Sequence, residues 1–174
     1  MSRVVLVTGG CRSGKSTRAL EIASSYGRKV FVATAEATDG EMAERIRRHR
    51  MQRDASWRTV EEPLDLAGAL ASLGPGAEIA VVDCLTVWIA NLFHHEDRRR
   101  AGERMDDLVA WLASPSCDVV LVTNEVGMGI VPADEETRWY RDAAGSLNQR
   151  VAAVADEVIL MVSGVPVTIK GERT

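Results

Sequence analysis

Apolar residues fall into short runs separated by polar stretches, and two periods organise them. Val4-Val5-Leu6-Val7, Val30-Phe31-Val32-Ala33, Ile79-Ala80-Val81-Val82, Val119-Val120-Leu121-Val122 and Val158-Ile159-Leu160-Met161-Val162 are unbroken apolar runs of strand length. Strands with no polar face belong to a sheet covered on both sides, the habit of parallel sheets. Trp57-Arg58-Thr59-Val60 alternates and predicts a further short strand. Gly164 and Pro166 break the last apolar run, and Val167-Thr168-Ile169-Lys170 then predicts an edge strand. Between the strands the spacing of apolar residues predicts helices over 16–26, 64–73, 85–93, 104–112 and 134–155. Another helix, from 38 to about 51, opens on the capping-box form Thr38-Asp39-Gly40-Glu41. Gly27 stops the first helix, Pro63 opens the second, and Gly74-Pro75-Gly76 is a loop. Strand alternating with helix predicts a single α/β domain: a mostly parallel central sheet with helices on both faces. The strands ending near Gly9, Asp83 and Asn124 are expected at its centre.

Chemistry enters where the first strand meets the first helix. Gly9-Gly10-Cys11-Arg12-Ser13-Gly14-Lys15-Ser16 fits G-x-x-x-x-G-K-[ST] at every fixed position, in the strand–loop–helix setting that the pattern requires. Glycines let backbone N–H groups turn inward around phosphate, and the helix N-terminus adds partial positive charge. Lys15 can reach the outer phosphates and the Ser16 hydroxyl can ligate Mg²⁺, so the fold expected is P-loop NTPase-like. The strand ending at Asp83 has the Walker B arrangement, a buried strand presenting an acid to the Mg²⁺ shell. Thr34, Ala35 and Glu36 follow a strand at the sheet edge where ligands bind, and Thr34 and Glu36 can face a nucleotide. A plain turn fits the same residues. Two glycines and a methionine in Asn124-Glu125-Val126-Gly127-Met128-Gly129-Ile130-Val131-Pro132 suggest a substrate-facing loop, with Glu125 a second acid.

The 38–51 segment is strongly basic, with Arg45, Arg47, Arg48 and Arg50, and Arg53 just beyond. His49 lies among them. On composition alone a solvated face or an RNA-binding surface is the plainer reading. The sharper one is a phosphate-handling helix whose neutral imidazole attacks phosphorus, with neighbouring positive charge lowering its pKa. His94-His95 and the charges after them read as a solvated connection, because adjacent residues do not share a helix face.

Composition narrows the picture. The 174 residues carry a net charge of −4 with 46% hydrophobic residues, an ordinary globular profile that argues against general nucleic-acid binding. Cys11, Cys84 and Cys117 are odd in number and in no metal spacing, so reduced thiols and a cytoplasmic setting are expected. No apolar run approaches membrane-spanning length, so no membrane insertion is expected.

Taken in order, Thr8 through Ser16, Ala33-Thr34-Ala35-Glu36, Arg45-Ile46-Arg47-Arg48-His49-Arg50, Trp57-Arg58-Thr59-Val60-Glu61, Asp83-Cys84-Leu85-Thr86, Thr123 through Pro132, Arg141-Asp142-Ala143-Ala144-Gly145 and Leu147-Asn148-Gln149-Arg150 are more specific than any single motif. Over nearly its whole length the chain closely resembles the bifunctional adenosylcobinamide kinase / adenosylcobinamide-phosphate guanylyltransferase of cobalamin biosynthesis. The resemblance implies phosphorylation of adenosylcobinamide by ATP or GTP, then transfer of GMP from GTP to that phosphate through a guanylylated histidine. The histidine falls on His49. Some relatives have a second histidine at the preceding position, occupied here by Arg48. Nucleotide contacts carry over to Gly9, Gly10, Cys11, Arg12, Ser13, Gly14, Lys15 and Ser16, to Thr34, Ala35 and Glu36, to Arg50, Met51, Gln52 and Arg53, to Glu61 and to Asp83. Asp83 stands where some relatives have Glu, and either acid can serve Mg²⁺. The resemblance also implies a homo-oligomer, a trimer being the form relatives suggest, and a small-molecule corrinoid substrate rather than nucleic acid. The nearest rival is a P-loop kinase of another small alcohol without the guanylyl step. A GTP-dependent switch is the second, although the chain contains no Asn-Lys dipeptide.

Overall fold

The computed structural model describes residues 2–37, 40, 44, 47, 50, 51, 53–74 and 76–171. The seven strands are β1 Val4–Gly9, β2 Lys29–Ala33, β3 Trp57–Glu61, β4 Ile79–Asp83, β5 Asp118–Val122, β6 Glu157–Val162 and β7 Val165–Lys170. They form one sheet in the order β3-β2-β4-β5-β1-β6-β7. Six strands run parallel and β7 turns back antiparallel to β6. The three strands expected at the centre, β4, β5 and β1, are the third, fourth and fifth of the seven. Pro166, which cannot donate to a ladder, lies in the edge strand β7.

Among the described residues five α-helices accompany the sheet: α1 Lys15–Ile22, α2 Leu66–Ala71, α3 Leu85–His95, α4 Arg98–Leu112 and α5 Glu135–Val154. Alternation along the strands divides the core. Val4, Leu6, Val82, Val119 and Leu121 pack with α2, α3, α4 and α5, whose Leu66, Trp88, Leu108 and Leu147 are fully buried. Val5, Val7, Phe31, Val81 and Val122 face the other way and pack with Ala19 of α1. Both faces are covered, which is why these strands read as continuous apolar runs. Among the described residues no helix is long and apolar enough to cross a membrane.

Three boundaries differ from the sequence reading. The first helix gives way to a 3₁₀ turn, Ala23–Ser25. The second starts later than Pro63, because the Glu62 carboxylate accepts from the amides of Leu64 and Asp65 before Asp65 caps the helix on Gly68. The solvated connection after Phe93 is also a correction. His94 and His95 belong to the last turn of α3, and Arg98, Arg99 and Arg100 form the first turn of α4, capped by the Asp97 carboxylate accepting from Arg100 N. The predicted capping box and most of the basic helix lie outside the described residues.

Candidate functional site

The glycine loop leaves β1 at Gly9 and enters α1 at Lys15. Left-handed backbone at Arg12 (φ 55°) and at the N-cap Gly14 (φ 94°) turns it over the helix start. Nζ of Lys15 donates to the Gly10 carbonyl at 2.5 Å, which lays the ammonium across the loop. The first turn of α1 holds no acidic residue to offset its positive end. The buried Ser13 hydroxyl has no hydrogen-bond partner among the described residues, a polar atom placed for a ligand oxygen. The turn between β6 and β7 braces the loop from behind. Gly164 N donates to the Ser13 carbonyl at 3.0 Å, and Gly164 Cα would stand 3.5 Å from a Cβ built on Gly14.

Asp83 closes β4, with β5 between it and the β1 strand that feeds the loop. Charge effects show what surrounds it. Burial pushes the Cys84 thiol up; the Asp83 charge adds to that, and Lys15 acts against it. Burial first, and then Arg50, hold the Arg53 guanidinium below its ordinary value, while Asp83 acts in the opposite direction. That guanidinium stands 3.7 Å over the ring of Phe31, on the face that also carries α1. The glycine loop and Asp83 both lie at the carboxyl ends of the parallel strands, with β5 between them. Among the described residues no three His, Cys, Asp or Glu side chains gather as a metal cage. Magnesium held with a nucleotide takes only one or two protein oxygens and completes its shell from phosphate and water. A hydroxyl at Ser16 and a carboxylate at Asp83 are donors of that kind.

The remaining predicted residues take varied places. Thr34 is fully buried. Its hydroxyl donates to the Cys84 carbonyl and accepts from Cys84 N, both at 2.9 Å, while its own carbonyl accepts from Asn91 Nδ2. The side chain thus pins the end of β2 to the end of β4. Ala35 is half-buried beside it, and Glu36 pairs with His95 Nε2 at 2.9 Å. Arg50 approaches Glu61 to 4.0 Å on the open side of β3, and Met51 is exposed. Cys11 is exposed on the glycine loop. His49 and Gln52 lie outside the described residues.

One network was only half visible in the sequence. Thr8 Oγ1 donates to Glu125 Oε1 at 2.6 Å, and Glu125 N donates to the Gly9 carbonyl at 3.3 Å. Nδ2 of Asn148, from α5, reaches Glu125 Oε1 at 3.4 Å and the Asn124 carbonyl at 3.3 Å, while its Oδ1 accepts from Thr123 Oγ1 at 2.7 Å. The sequence marks Glu125 as a second acid; Thr8, Thr123 and Asn148 occur in the motifs of the resemblance but carry no assigned role there. The available signal was polarity at positions where the helical and strand patterns demand burial. The loop after Glu125 carries exposed Met128, Ile130 and Val131. Arg138 holds it through the Pro132 carbonyl, and Arg141 through the Gly127 carbonyl. An open depression of about 510 Å³ lined by Tyr26, Glu78, Cys117 and Asp118 lies at the other end of the sheet, away from the edge where parallel sheets bind ligands.

Residues 5–169 match the family model described as cobinamide kinase / cobinamide phosphate guanyltransferase. The chain is 44% identical over 168 residues to a bifunctional adenosylcobalamin biosynthesis protein of Pseudomonas aeruginosa, covering 96% of this chain and 97% of that one. It is 39% identical to a protein of the same description from Escherichia coli, covering 96% and 99%. An ATPase from the type III secretion system of pathogenic bacteria shares the fold, with a TM-score of 0.56 at 13% identity over 92% of this chain and 51% of that one.

Proposed function

This chain belongs to the cobinamide kinase / cobinamide phosphate guanyltransferase family, and from that premise we propose that one nucleotide pocket in one domain serves both of its reactions. The chain is a bifunctional enzyme of cobalamin biosynthesis. It phosphorylates the aminopropanol hydroxyl of adenosylcobinamide, with ATP or GTP as donor. It then transfers GMP from GTP to that phosphate, giving adenosylcobinamide-GDP and pyrophosphate.

In the kinase step the amides of the glycine loop and the start of α1 hold the triphosphate, and Lys15 reaches the outer phosphates. Ser16 and Asp83 would hold Mg²⁺, which would supply positive charge to the phosphate oxygens. The loop amides and the helix end stabilise the developing charge with little reorganisation, and Lys15 exchanges its bond to the Gly10 carbonyl for one to phosphate. In the transferase step the His49 imidazole attacks the α-phosphorus of GTP. A phosphorus–nitrogen bond forms, the bond to the bridging oxygen breaks, and pyrophosphate leaves. The phosphate of the corrinoid then displaces the imidazole. Thr34 steadies the strand ends, while Glu36, Arg50, Met51, Gln52, Arg53 and Glu61 frame the nucleotide. The setting is cytoplasmic, and the working form is a homo-oligomer, taken as a trimer.

The observation that supports this reading best is that the glycine loop after β1 and Asp83 at the end of β4 open at the same end of the sheet with β5 between them, while Arg53 stacks on Phe31 of β2, the strand next to β4. It supports a position near the phosphate loop for the chain that follows His49. The test uses GTP labelled at the α-phosphate, with denaturation and peptide mapping. The expected result is an acid-labile label on the peptide containing His49. His49→Ala is expected to abolish the label and retain measurable phosphorylation of adenosylcobinamide. Equal loss of both activities would remove His49 as a dedicated nucleophile and leave a kinase of the rival kind.

A further inference from the structure

We propose that Glu125 is the general base of the phosphoryl-transfer step, an assignment that rests on the kinase reading above. Topology supplies the place. β5 lies between β1 and β4, so the residues after β5 emerge between the glycine loop and Asp83. The Glu125 amide is bonded to Gly9 itself, the first residue of that loop.

The carboxylate is held in a particular way. Both side-chain donors, Thr8 Oγ1 and Asn148 Nδ2, converge on Oε1. Thr8 and Asn148 are themselves buried, and Thr123 fixes the Asn148 amide. Among the described residues no donor reaches Oε2, and no lysine or arginine forms an ion pair with Glu125. The residue is half-exposed, so its carboxylate is not walled off from the cleft. One oxygen is fixed by the protein and the other is left to accept a proton. A carboxylate serving only to fasten a loop has no need of that asymmetry. Asp83 is differently placed: it closes β4, on the far side of β5 from the glycine loop, where the metal-side acid of a phosphate site belongs. The two acids therefore divide the work, Asp83 on the metal side and Glu125 on the acceptor side.

The chain beyond Glu125 fits an acceptor of the expected kind. Met128, Ile130 and Val131 expose their side chains there, with Ile130 96% accessible, while Arg138 and Arg141 hold the loop's backbone. A large acceptor with apolar faces can rest on such a surface and extend its alcohol toward Glu125. In the step, the alcohol oxygen bonds to the γ-phosphorus as its proton passes to Oε2. The bond from the γ-phosphorus to the β-γ bridging oxygen breaks, and the nucleoside diphosphate leaves with that electron pair. Glu125 then returns the proton to water.

The test compares the unmodified chain with Glu125→Gln, which keeps an oxygen for Thr8, and with Glu125→Asp. Phosphorylation of adenosylcobinamide is followed across pH, with nucleotide affinity and thermal melting measured on the same preparations. For Glu125→Gln, kcat is expected to fall by about 100-fold or more, the range for loss of a general base, while KM for the nucleotide changes by less than about threefold. The acidic limb of the kcat–pH profile is expected to disappear in Glu125→Gln and to survive in Glu125→Asp. Retention of kcat within about fivefold overturns the proposal, because a missing base costs more than that. So does an equal fall in kcat and in labelling by α-phosphate-labelled GTP, a transfer that takes no proton from an alcohol. An unmodified chain that neither phosphorylates the corrinoid nor takes up label overturns the functional reading first, and the base assignment with it.

Discussion

At Gly9 a methyl group would stand 2.4 Å from the carbonyl oxygen of Met161 and 2.8 Å from Ser13 Oγ, on backbone at φ 146°. The carbonyl belongs to β6, the strand paired with β1, so it cannot step aside without parting the sheet. Gly10, one residue on, has open space where its Cβ would go. The glycine pattern fixes Gly9 and leaves Gly10 variable, and packing draws the same distinction. Gly9→Ala is expected to destabilise the fold by about 2–4 kcal/mol through overlap and backbone strain, and Gly10→Ala by less than about 0.5 kcal/mol. Urea unfolding with an unchanged m-value measures both. The same local view explains what single residues disclosed beforehand. Lys15, Ser16 and Asp83 can be proposed from sequence because the roles proposed for them depend on neighbours in sequence. Thr34 was less legible: a residue at a strand's ligand-facing end can contact the ligand or tie the strands together. Its hydroxyl is committed to Cys84, fifty residues away.

Between elements, Asp118 at the start of β5 joins three segments. Its Oδ1 accepts from Arg3 N at 2.8 Å and its Oδ2 from the Tyr26 hydroxyl at 2.6 Å, which ties the end of the first helical segment to the sheet. The hydrogen bond to Asp118, then partial burial and the Asp118 charge, raise the Tyr26 pKa above its ordinary 10.0. A raised pKa means that the stabilisation is fully present below about pH 10 and is lost as pH climbs through the folded-state value. Tyr26→Phe is therefore expected to lower the melting temperature at pH 7–9, for a net hydrogen-bond contribution of about 1 kcal/mol. The gap from the unmodified chain should close as pH rises above 10. A gap that stays constant to pH 11 would sink the account. Elements also mark where reading from sequence stopped. Charges over 94–100 resemble a loop by composition, but His94 and His95 finish α3, and Asp97 accepting from Arg100 N makes Arg98 to Arg100 the first turn of α4. A cap is a local geometric event among residues that favour several structures, so periodicity alone moves the boundary. Glu125 had a visible acid and an invisible holder, because Asn148 comes to it from a helix 23 residues further on.

At the scale of the fold, apolar runs disclosed the strands and parallel layering, but not that, among the described residues, four helices crowd one face while α1 lies on the other. That division depends on which way each connection crosses the sheet. The sheet's β7 edge raises the remaining question, the assembly. Val165, Val167 and Ile169 alternate along one side of β7 and remain 47–61% exposed, and among the described residues β7 pairs only with β6. An edge strand with an apolar side is an aggregation hazard unless something covers it. A second copy of the chain would cover it in a homo-oligomer. The β6–β7 turn is also what braces the glycine loop, through Gly164 N on the Ser13 carbonyl. Covering β7 should therefore steady the nucleotide site as well as the edge. Sedimentation velocity is expected to show an oligomer, and Val167→Lys is expected to weaken assembly by about tenfold or more, since a lysine buried in the contact must be desolvated. Nucleotide affinity should fall in parallel as the protein is diluted through its dissociation midpoint. A monomer that binds nucleotide equally well at every concentration would leave β7 without a partner and the brace indifferent to assembly.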